Sequence, residues 1–139
     1  MAKTTWHKAS HGVYSIHLHI YLITRYRRSF LTQPIVDCIV DAVKRICDKN
    51  KCRLLEHGAE PDHIHFLVDL HPDNNISQLV KSLKSVSSKD VMAQFPSEYR
   101  KTYGKGRGIW GRQKAVVSCG GAPLDIIKQY VQNQAGVDA

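Results

Sequence analysis

Two histidines separated by one apolar residue, His63 and His65, are the residues of this chain best suited to chemistry. They lie in the stretch EPDHIHFLVDLH, residues 60–71, whose apolar and aromatic types predict a strand. On a strand, side chains two residues apart point to the same face, so both imidazoles are expected on one side of the sheet. Two such imidazoles can hold one divalent cation and leave coordination positions open for a substrate.

A second pair, His17 and His19, has the same spacing, so spacing does not distinguish the two. His63 follows a Pro-Asp corner, and functional sites commonly lie where a strand meets a loop. His17 and His19 lie inside a strand-like run, where packing or hydrogen bonding is the expected role. Two alternatives stay open: an ordinary polar strand face, and a zinc ion held by all four histidines between two strands.

A tyrosine and a glutamine near the end of the chain supply further chemistry. The pattern PLDIIKQYVQNQ, residues 123–134, predicts a helix, and Tyr130 and Gln134 are four apart and therefore on one helical face. A tyrosine hydroxyl has a pKa of about 10 and is a poor nucleophile at neutral pH, but a nearby cation stabilises its phenolate. Gln134 offers a carbonyl oxygen as a third metal ligand. The alternative is a half-buried tyrosine that packs through its ring.

The elements that must position these residues follow from the apolar patterning. The expected order is strand, helix, strand, strand, helix, strand, helix, with Asn75 as the cap of the second helix. The segment 96–112 is rich in glycine and is expected to be a loop. Strands are predicted at residues 13–24, 52–59, 63–70 and 114–119, and helices at residues 34–50, from residue 75 onward, and at 123–134. This order predicts an α+β fold of ferredoxin-like (RRM-like) kind, an antiparallel sheet with helices on one face.

Length and composition limit the classes of protein to consider. The chain has 139 residues, so one domain spanning 1–139 is expected, with 1–12 and 135–139 as flexible tails. Apolar runs are too short for a membrane span and no signal peptide is recognisable, which predicts a cytoplasmic protein. The four cysteines show no Cys-x-x-Cys spacing, which favours buried or idle thiols in a reducing compartment.

The net charge of +8 favours a polyanionic partner, most often nucleic acid. Residues 99–114 carry six Lys or Arg and no acid, interleaved with Tyr99, Tyr103 and Trp110. Cations follow phosphates and flat rings stack on unpaired bases, whereas the alternative is a solvated basic surface. The candidate DNA-binding residues are Arg25, Arg27, Arg28, Lys81, Lys84, Arg100, Lys105, Arg107, Trp110 and Arg112.

These motifs together resemble the single-tyrosine HUH transposases of small insertion sequences that move as single-stranded DNA (TnpA type, insertion sequence 200/605 superfamily). The resemblance covers about residues 13–134, in the order expected for the family. It is carried by HIYLITRYRRSFL, EPDHIHFLVDL, ISQLVKSLKSVSSK and IWGRQKAVVSCGGAPLDIIKQYVQNQ. The chain departs from the family at residues 109–113, where family members usually show Trp, a small polar residue and an aromatic.

The resemblance implies an HUH fold with the sheets of two subunits joined in a homodimer. His63, His65 and Gln134 would hold Mg²⁺ or Mn²⁺, and Tyr130 would cleave single-stranded DNA through a 5′-phosphotyrosine. The DNA partner would form hairpins at the ends of the element, in the nucleoid of a prokaryotic cell. Three other functions remain open: a non-catalytic hairpin-binding module, a domesticated repeat-associated tyrosine transposase, and a structural zinc protein.

Overall fold

The computed structural model describes residues 7–9 and 12–118. The strands and helices are β1 (His7–Ala9), β2 (Gly12–Tyr14), β3 (His17–Thr24), a 3₁₀ turn (Arg25–Arg27), α1 (Gln33–Lys49), β4 (Arg53–Glu60), β5 (His63–Asp69), α2 (Ile76–Gln94), α3 (Pro96–Tyr103) and β6 (Trp110–Ser118). A small hairpin of β1 and β2 precedes a four-stranded antiparallel sheet of order β4-β5-β3-β6.

The two faces of the sheet have different roles, because side chains alternate along each strand. Even-numbered residues of the two central strands, including Ile20 and Leu22 of β3 and Phe66 of β5, are fully buried. They share one core cluster with the apolar residues of α1 and α2. Odd-numbered residues of the same strands, including both His-x-His pairs, point to the opposite face. The fold is therefore α+β with an antiparallel sheet and the described helices on one face, as predicted.

The first two helices form where their patterning predicts them. Pro34 stands in the first turn of α1, where its missing N–H and fixed φ cost nothing. The buried positions of α1 recur with helical spacing and include Ile39 and Val43. Asn75 caps α2, since its side chain accepts a hydrogen bond from the backbone N–H of Gln78 at 3.0 Å. These local signals fix both helices against the sheet.

The segment expected to be a loop at 96–112 contains a helix, α3, so that prediction was wrong. Tyr99 anchors this helix, because its ring is only 4% exposed and its hydroxyl donates to the Gly108 carbonyl at 3.3 Å. The last described strand also begins earlier than predicted, at Trp110. At the other end, residues 7–9 form β1 within the segment expected to be a flexible tail, and residues 13–24 divide between β2 and β3.

The predicted final helix, with Tyr130 and Gln134, lies outside the described residues, and so do residues 1–6 and 135–139 of the expected tails. Among residues 7–9 and 12–118, no helix has the length and apolar character needed to cross a membrane.

Candidate metal and nucleic-acid site

The register of β5 places His63 and His65 on the same face of the sheet, as their spacing predicts. His63 lies opposite Ile23 of β3 and Glu60 of β4, at the end of the sheet where the β4–β5 turn closes. Both histidines line one cavity of about 480 Å³. The remaining lining residues are Arg27, Ser29, Ala59, Glu60, Pro61 and Asp62.

The orientation of the His63 ring is set by Asp62. The Nδ1 atom of His63 lies 2.8 Å from Oδ1 of Asp62, and Nε of Arg27 donates to the other carboxylate oxygen at 2.8 Å. Burial acts to raise the pKa of Asp62, but the hydrogen bonds with His63 and Arg27 outweigh it, so the pKa is lowered. A charged Asp62 that holds Nδ1 leaves Nε2 of His63 as the ring nitrogen for a ligand, the usual arrangement around metal-binding histidines.

The position of the His65 ring is set by its two cross-strand neighbours. Tyr21 of β3 and Gly58 of β4 both pair with His65. The Tyr21 ring stacks on the imidazole, with centroids 5.4 Å apart and planes 25° apart. On the other side the imidazole lies over Gly58, where a Cβ atom would overlap Nε2 and stand 3.1 Å from Cε1. Glycine is thus required at position 58 for this placement of the ring.

Tyr21 brings a phenol beside His65, but its environment does not suit a nucleophile. Its side chain is fully buried, and burial raises its pKa, which disfavours the phenolate. Its hydroxyl has no hydrogen-bond partner within the part of the chain that the structure describes. The Tyr21 ring therefore serves as a packing surface for the His65 imidazole.

The chemistry of this donor set fits a divalent cation that takes further ligands from elsewhere. Two imidazoles reach one cavity, and the second ring nitrogen of His63 is occupied by a carboxylate. Across residues 7–9 and 12–118, no group of three or more His, Cys, Asp or Glu side chains is arranged to hold a metal ion. A third ligand has to come from a different residue type or from beyond these ranges, and the predicted Gln134 meets both conditions.

The other histidine pair, His17 and His19, lies elsewhere on the same face. His17 pairs with Asp69 and His19 with Leu67, farther along β5 than His65. Nε2 of His17 is 3.7 Å from Oδ1 of Asp69, and Nε2 of His7 is 2.7 Å from Oδ2 of Asp69. The alternative of one zinc ion held by all four histidines is wrong for the described residues, which contain no metal-binding group of three.

A second, larger cavity is basic. It measures about 790 Å³ and lies between α2 and the segment 107–114, with Val80, Met92 and Trp110 as apolar lining. The amino group of Lys84 donates to the Gly111 carbonyl at 2.7 Å. Burial, and then the charge of Lys114, lower the pKa of Lys84. The cationic lining residues are Lys81, Lys84, Lys89, Arg107, Arg112 and Lys114.

The aromatic residues near this cavity pack in the core. Trp110 is 7% exposed, and its Nε1 donates to Oγ of Ser87 at 2.9 Å. Tyr99 is 4% exposed. Little of either ring is exposed for stacking on a base. A contact between DNA and Trp110, which lines the cavity, stays a prediction.

The remaining candidate DNA-binding residues divide by burial. Arg25 is buried, with its guanidinium 4.7 Å above the Tyr103 ring, so it serves the fold. Arg27 reaches Asp62 at the histidine cavity. The side chains of Arg28, Arg100 and Lys105 are exposed and line neither cavity.

Sequence reasoning missed two residues of the site. Asp62 was recognised only as part of a corner, although its place beside His63 was a usable signal. Gly58 gave no signal in the sequence, because its importance depends on which residue faces it across the sheet.

Comparison with known proteins identifies the family. The model of the family described as "Transposase IS200 like" matches residues 12–134 of this chain. The chain belongs to this family. The matched span includes both histidines of the cavity, Tyr130 and Gln134.

Similar proteins agree with this membership. The ISDra2 transposase TnpA of Deinococcus radiodurans is 24% identical over 122 residues, which cover 88% of this chain and 86% of that protein. The transposase for insertion sequence element IS200 of Salmonella typhimurium is 26% identical over 129 residues, covering 93% of this chain and 83% of that protein.

Solved structures agree with the fold of IS200-like transposases. The crystal structure of a protein described as a transposase of Deinococcus radiodurans R1 is 26% identical, with a TM-score of 0.80. It covers 91% of this chain and 96% of its own. A REP-associated tyrosine transposase bound to a REP hairpin is 14% identical, with a TM-score of 0.55 over 84% of this chain and 62% of its own. At that identity the second likeness concerns the fold.

Proposed function

We propose that this IS200-like transposase is a metal-dependent enzyme that cleaves and rejoins single-stranded DNA at the ends of an insertion sequence. The observation that carries the proposal is the cavity that both His63 and His65 line, with His63 held by Asp62, whose other carboxylate oxygen accepts a hydrogen bond from Arg27. The oriented ring is a feature of metal-ligating histidines.

His63, His65 and Gln134 are the residues that would hold Mg²⁺ or Mn²⁺. Imidazole and amide oxygen together suit manganese and allow magnesium. When bound, the cation supplies Lewis-acid stabilisation of the negative charge that builds up on a non-bridging phosphate oxygen.

Tyr130 is the proposed nucleophile. Its phenolic oxygen attacks the scissile phosphorus, the bond from phosphorus to the 3′ oxygen breaks, and that oxygen leaves as a 3′-hydroxyl after taking a proton. The product is a 5′-phosphotyrosine. A 3′-hydroxyl from another cleaved end then attacks the same phosphorus and releases Tyr130, so the phosphoester is conserved and no nucleotide triphosphate is needed.

The basic cavity is the proposed contact for the DNA backbone. Six cations line it, and such clusters neutralise phosphates and release counterions. A hairpin at the element end is the proposed ligand, and the active enzyme is proposed to be a homodimer that acts in the nucleoid of a prokaryotic cell. The REP-associated relative was solved with a REP hairpin, which supports the hairpin as a ligand to test here and keeps a repeat-processing relative as the second candidate.

The test is covalent capture. The protein is incubated with Mn²⁺ and single-stranded DNA from the flanks of its own gene, then separated on a denaturing gel. We expect a protein–DNA adduct that disappears in Tyr130→Phe and persists in Tyr14→Phe, the matched loss of a hydroxyl in the N-terminal hairpin. Hairpin binding with no adduct under any metal would favour the non-catalytic module instead.

A further inference from the structure

Tyr26, in the 3₁₀ turn, is an exposed aromatic residue that the proposed chemistry does not use. Its side chain is 56% exposed, whereas Tyr21 and Tyr99 are buried. It also lies between Arg25 and Arg27, so an exposed ring is set within a basic turn.

The backbone at this position is unusual for a bulky residue. Tyr26 has φ 57° and ψ 16°, and Arg27 follows with φ 53°. This left-handed region is sparsely populated by residues other than glycine, asparagine and aspartate, because Cβ crowds the carbonyl oxygen. Such strain persists only where neighbouring contacts enforce it, and it concentrates at functional sites.

The enforcing contacts are present on both sides of the ring. The Arg25 N–H donates to the Ile109 carbonyl at 2.8 Å, and its Nη2 donates to the Tyr99 hydroxyl at 3.1 Å. On the other side Arg27 is tied to Asp62. Both flanking residues are thus anchored in the protein. The Arg25 guanidinium lies 5.8 Å from the centroid of the Tyr26 ring, and Tyr26 remains 56% exposed.

The turn adjoins the histidine cavity. Arg27 and Ser29 are part of the cavity lining together with His63 and His65, so Tyr26 is one residue from its wall. Arg28, also exposed, adds a cation directly after the turn. An exposed ring beside cations is the combination that binds single-stranded nucleic acid, with bases on the ring and phosphates on the cations.

The geometry points to Tyr26 as a stacking platform for one unpaired nucleobase of the DNA strand that enters the histidine cavity. This inference rests on the proposed function, because it takes single-stranded DNA as the ligand. The strained backbone at Tyr26 is then explained by the need to hold the ring in the path of the DNA strand.

The first test separates strain from stacking with Tyr26→Gly. Glycine adopts positive φ freely, so we expect the melting temperature to rise while affinity for single-stranded DNA falls roughly 5- to 150-fold, the loss expected for one base–aromatic stack. Affinity is read by fluorescence anisotropy of a labelled strand from the gene's flanks. Tyr26→Phe keeps the ring and should bind as the unaltered protein does.

Lys51→Gly is the matched control. Lys51 also has positive φ, 60°, but it lies in the turn before β4, at the opposite end of that strand from the cavity. We expect its melting temperature to rise as well, with DNA affinity nearly unchanged.

If Tyr26→Gly lowers the melting temperature, the Tyr26 ring packs against the protein and contributes to stability, and the inference is overturned.

The second test uses strands in which one nucleotide at a time is abasic. One abasic position should weaken binding to the unaltered protein and have no further effect on Tyr26→Gly. Unchanged affinity in Tyr26→Gly, with the covalent adduct still forming, overturns the stacking inference and leaves the proposed function standing. Base-dependent binding through Tyr26 without any adduct would instead retain the inference and reject the proposed catalysis.

Discussion

The two His-x-His pairs of this chain share a spacing and a sheet face, yet the structure gives them different surroundings. His63 and His65 end in a cavity at the β4–β5 turn, and a carboxylate holds the first ring. His17 and His19 lie at the other end of the register, opposite Asp69 and Leu67, and line neither described cavity.

The comparison shows that spacing determines which face a pair occupies, whereas neighbours determine what the pair can do. Both pairs have a nearby aspartate. Asp62 is half-buried and forms an ion pair with Arg27. Asp69 is only 4% exposed and forms a hydrogen bond with His7 of the N-terminal hairpin. The same residue type therefore orients a ligand in one place and ties a hairpin to the sheet in the other.

The largest expected difference comes from removing one imidazole of each pair. His65→Ala should weaken Mn²⁺ binding more than ~100-fold, because losing even the outer partners of metal ligands costs roughly 10- to 100-fold. His19→Ala should leave Mn²⁺ affinity as it is. Titration followed by electron paramagnetic resonance measures both, and equal losses in the two variants would remove the distinction between the pairs.

The next effect distinguishes the two aspartates. Asp62→Asn removes the charge that orients His63, so Mn²⁺ affinity should fall about 10- to 100-fold. Asp69→Asn should leave Mn²⁺ affinity unchanged and lower the free energy of unfolding by roughly 1–3 kcal/mol, since a buried charge-assisted hydrogen bond to His7 is weakened. Metal titration and denaturant unfolding measure both variants. A loss of Mn²⁺ affinity in Asp69→Asn together with a loss of stability alone in Asp62→Asn would contradict this assignment.

A smaller effect is expected at Gly58. In Gly58→Ala the new methyl group displaces the end of the His65 side chain, which should weaken Mn²⁺ binding by about tenfold, within the range for outer partners of a metal site. In a His65→Ala background the clash is absent, so the same change should stabilise the strand by roughly 0.5–1 kcal/mol.

The control is the sign of the change in the free energy of unfolding that Gly58→Ala causes in the His65→Ala background. If Gly58→Ala is destabilising with and without the imidazole, position 58 serves the backbone and not the ring.

The smallest expected effect concerns pH. Burial lowers the pKa of His19 from its ordinary value of 6.5, although the charge of Glu56 partly offsets it. The unfolded chain then binds this proton more readily, so stability falls as the pH drops from about 6.5 towards the lowered value in the fold. His19→Gln should flatten that part of the stability–pH curve, and an unchanged slope would exclude His19 as a contributor.

The sequence predicted features that depend on local pattern. The Asn75 cap, the apolar stripe of α1 and the shared face of His63 and His65 all follow from periodicity or a single cap, and the structure confirms them. The sequence-based prediction failed where contacts between residues far apart in the sequence determine the structure. Glycines after Tyr103 made residues 96–112 read as a loop, whereas burial of Tyr99 against Gly108 and Arg25 stabilises α3.

The candidate site was likewise predictable only where it depends on local sequence pattern. The two imidazoles follow from their spacing, but the contacts of the His65 ring depend on the register that brings Tyr21 and Gly58 opposite it. The strain at Tyr26 depends likewise on hydrogen bonds to Ile109 and Asp62, which are remote in the sequence.

The most direct measurement is mass spectrometry of the DNA-linked peptide after reaction with single-stranded DNA and Mn²⁺. A cation held by His63 and His65 with Tyr130 as nucleophile predicts a phosphodiester on Tyr130, formed by the unaltered protein and absent from His65→Ala. A DNA adduct on any other residue, or one that forms equally well in His65→Ala, would contradict it.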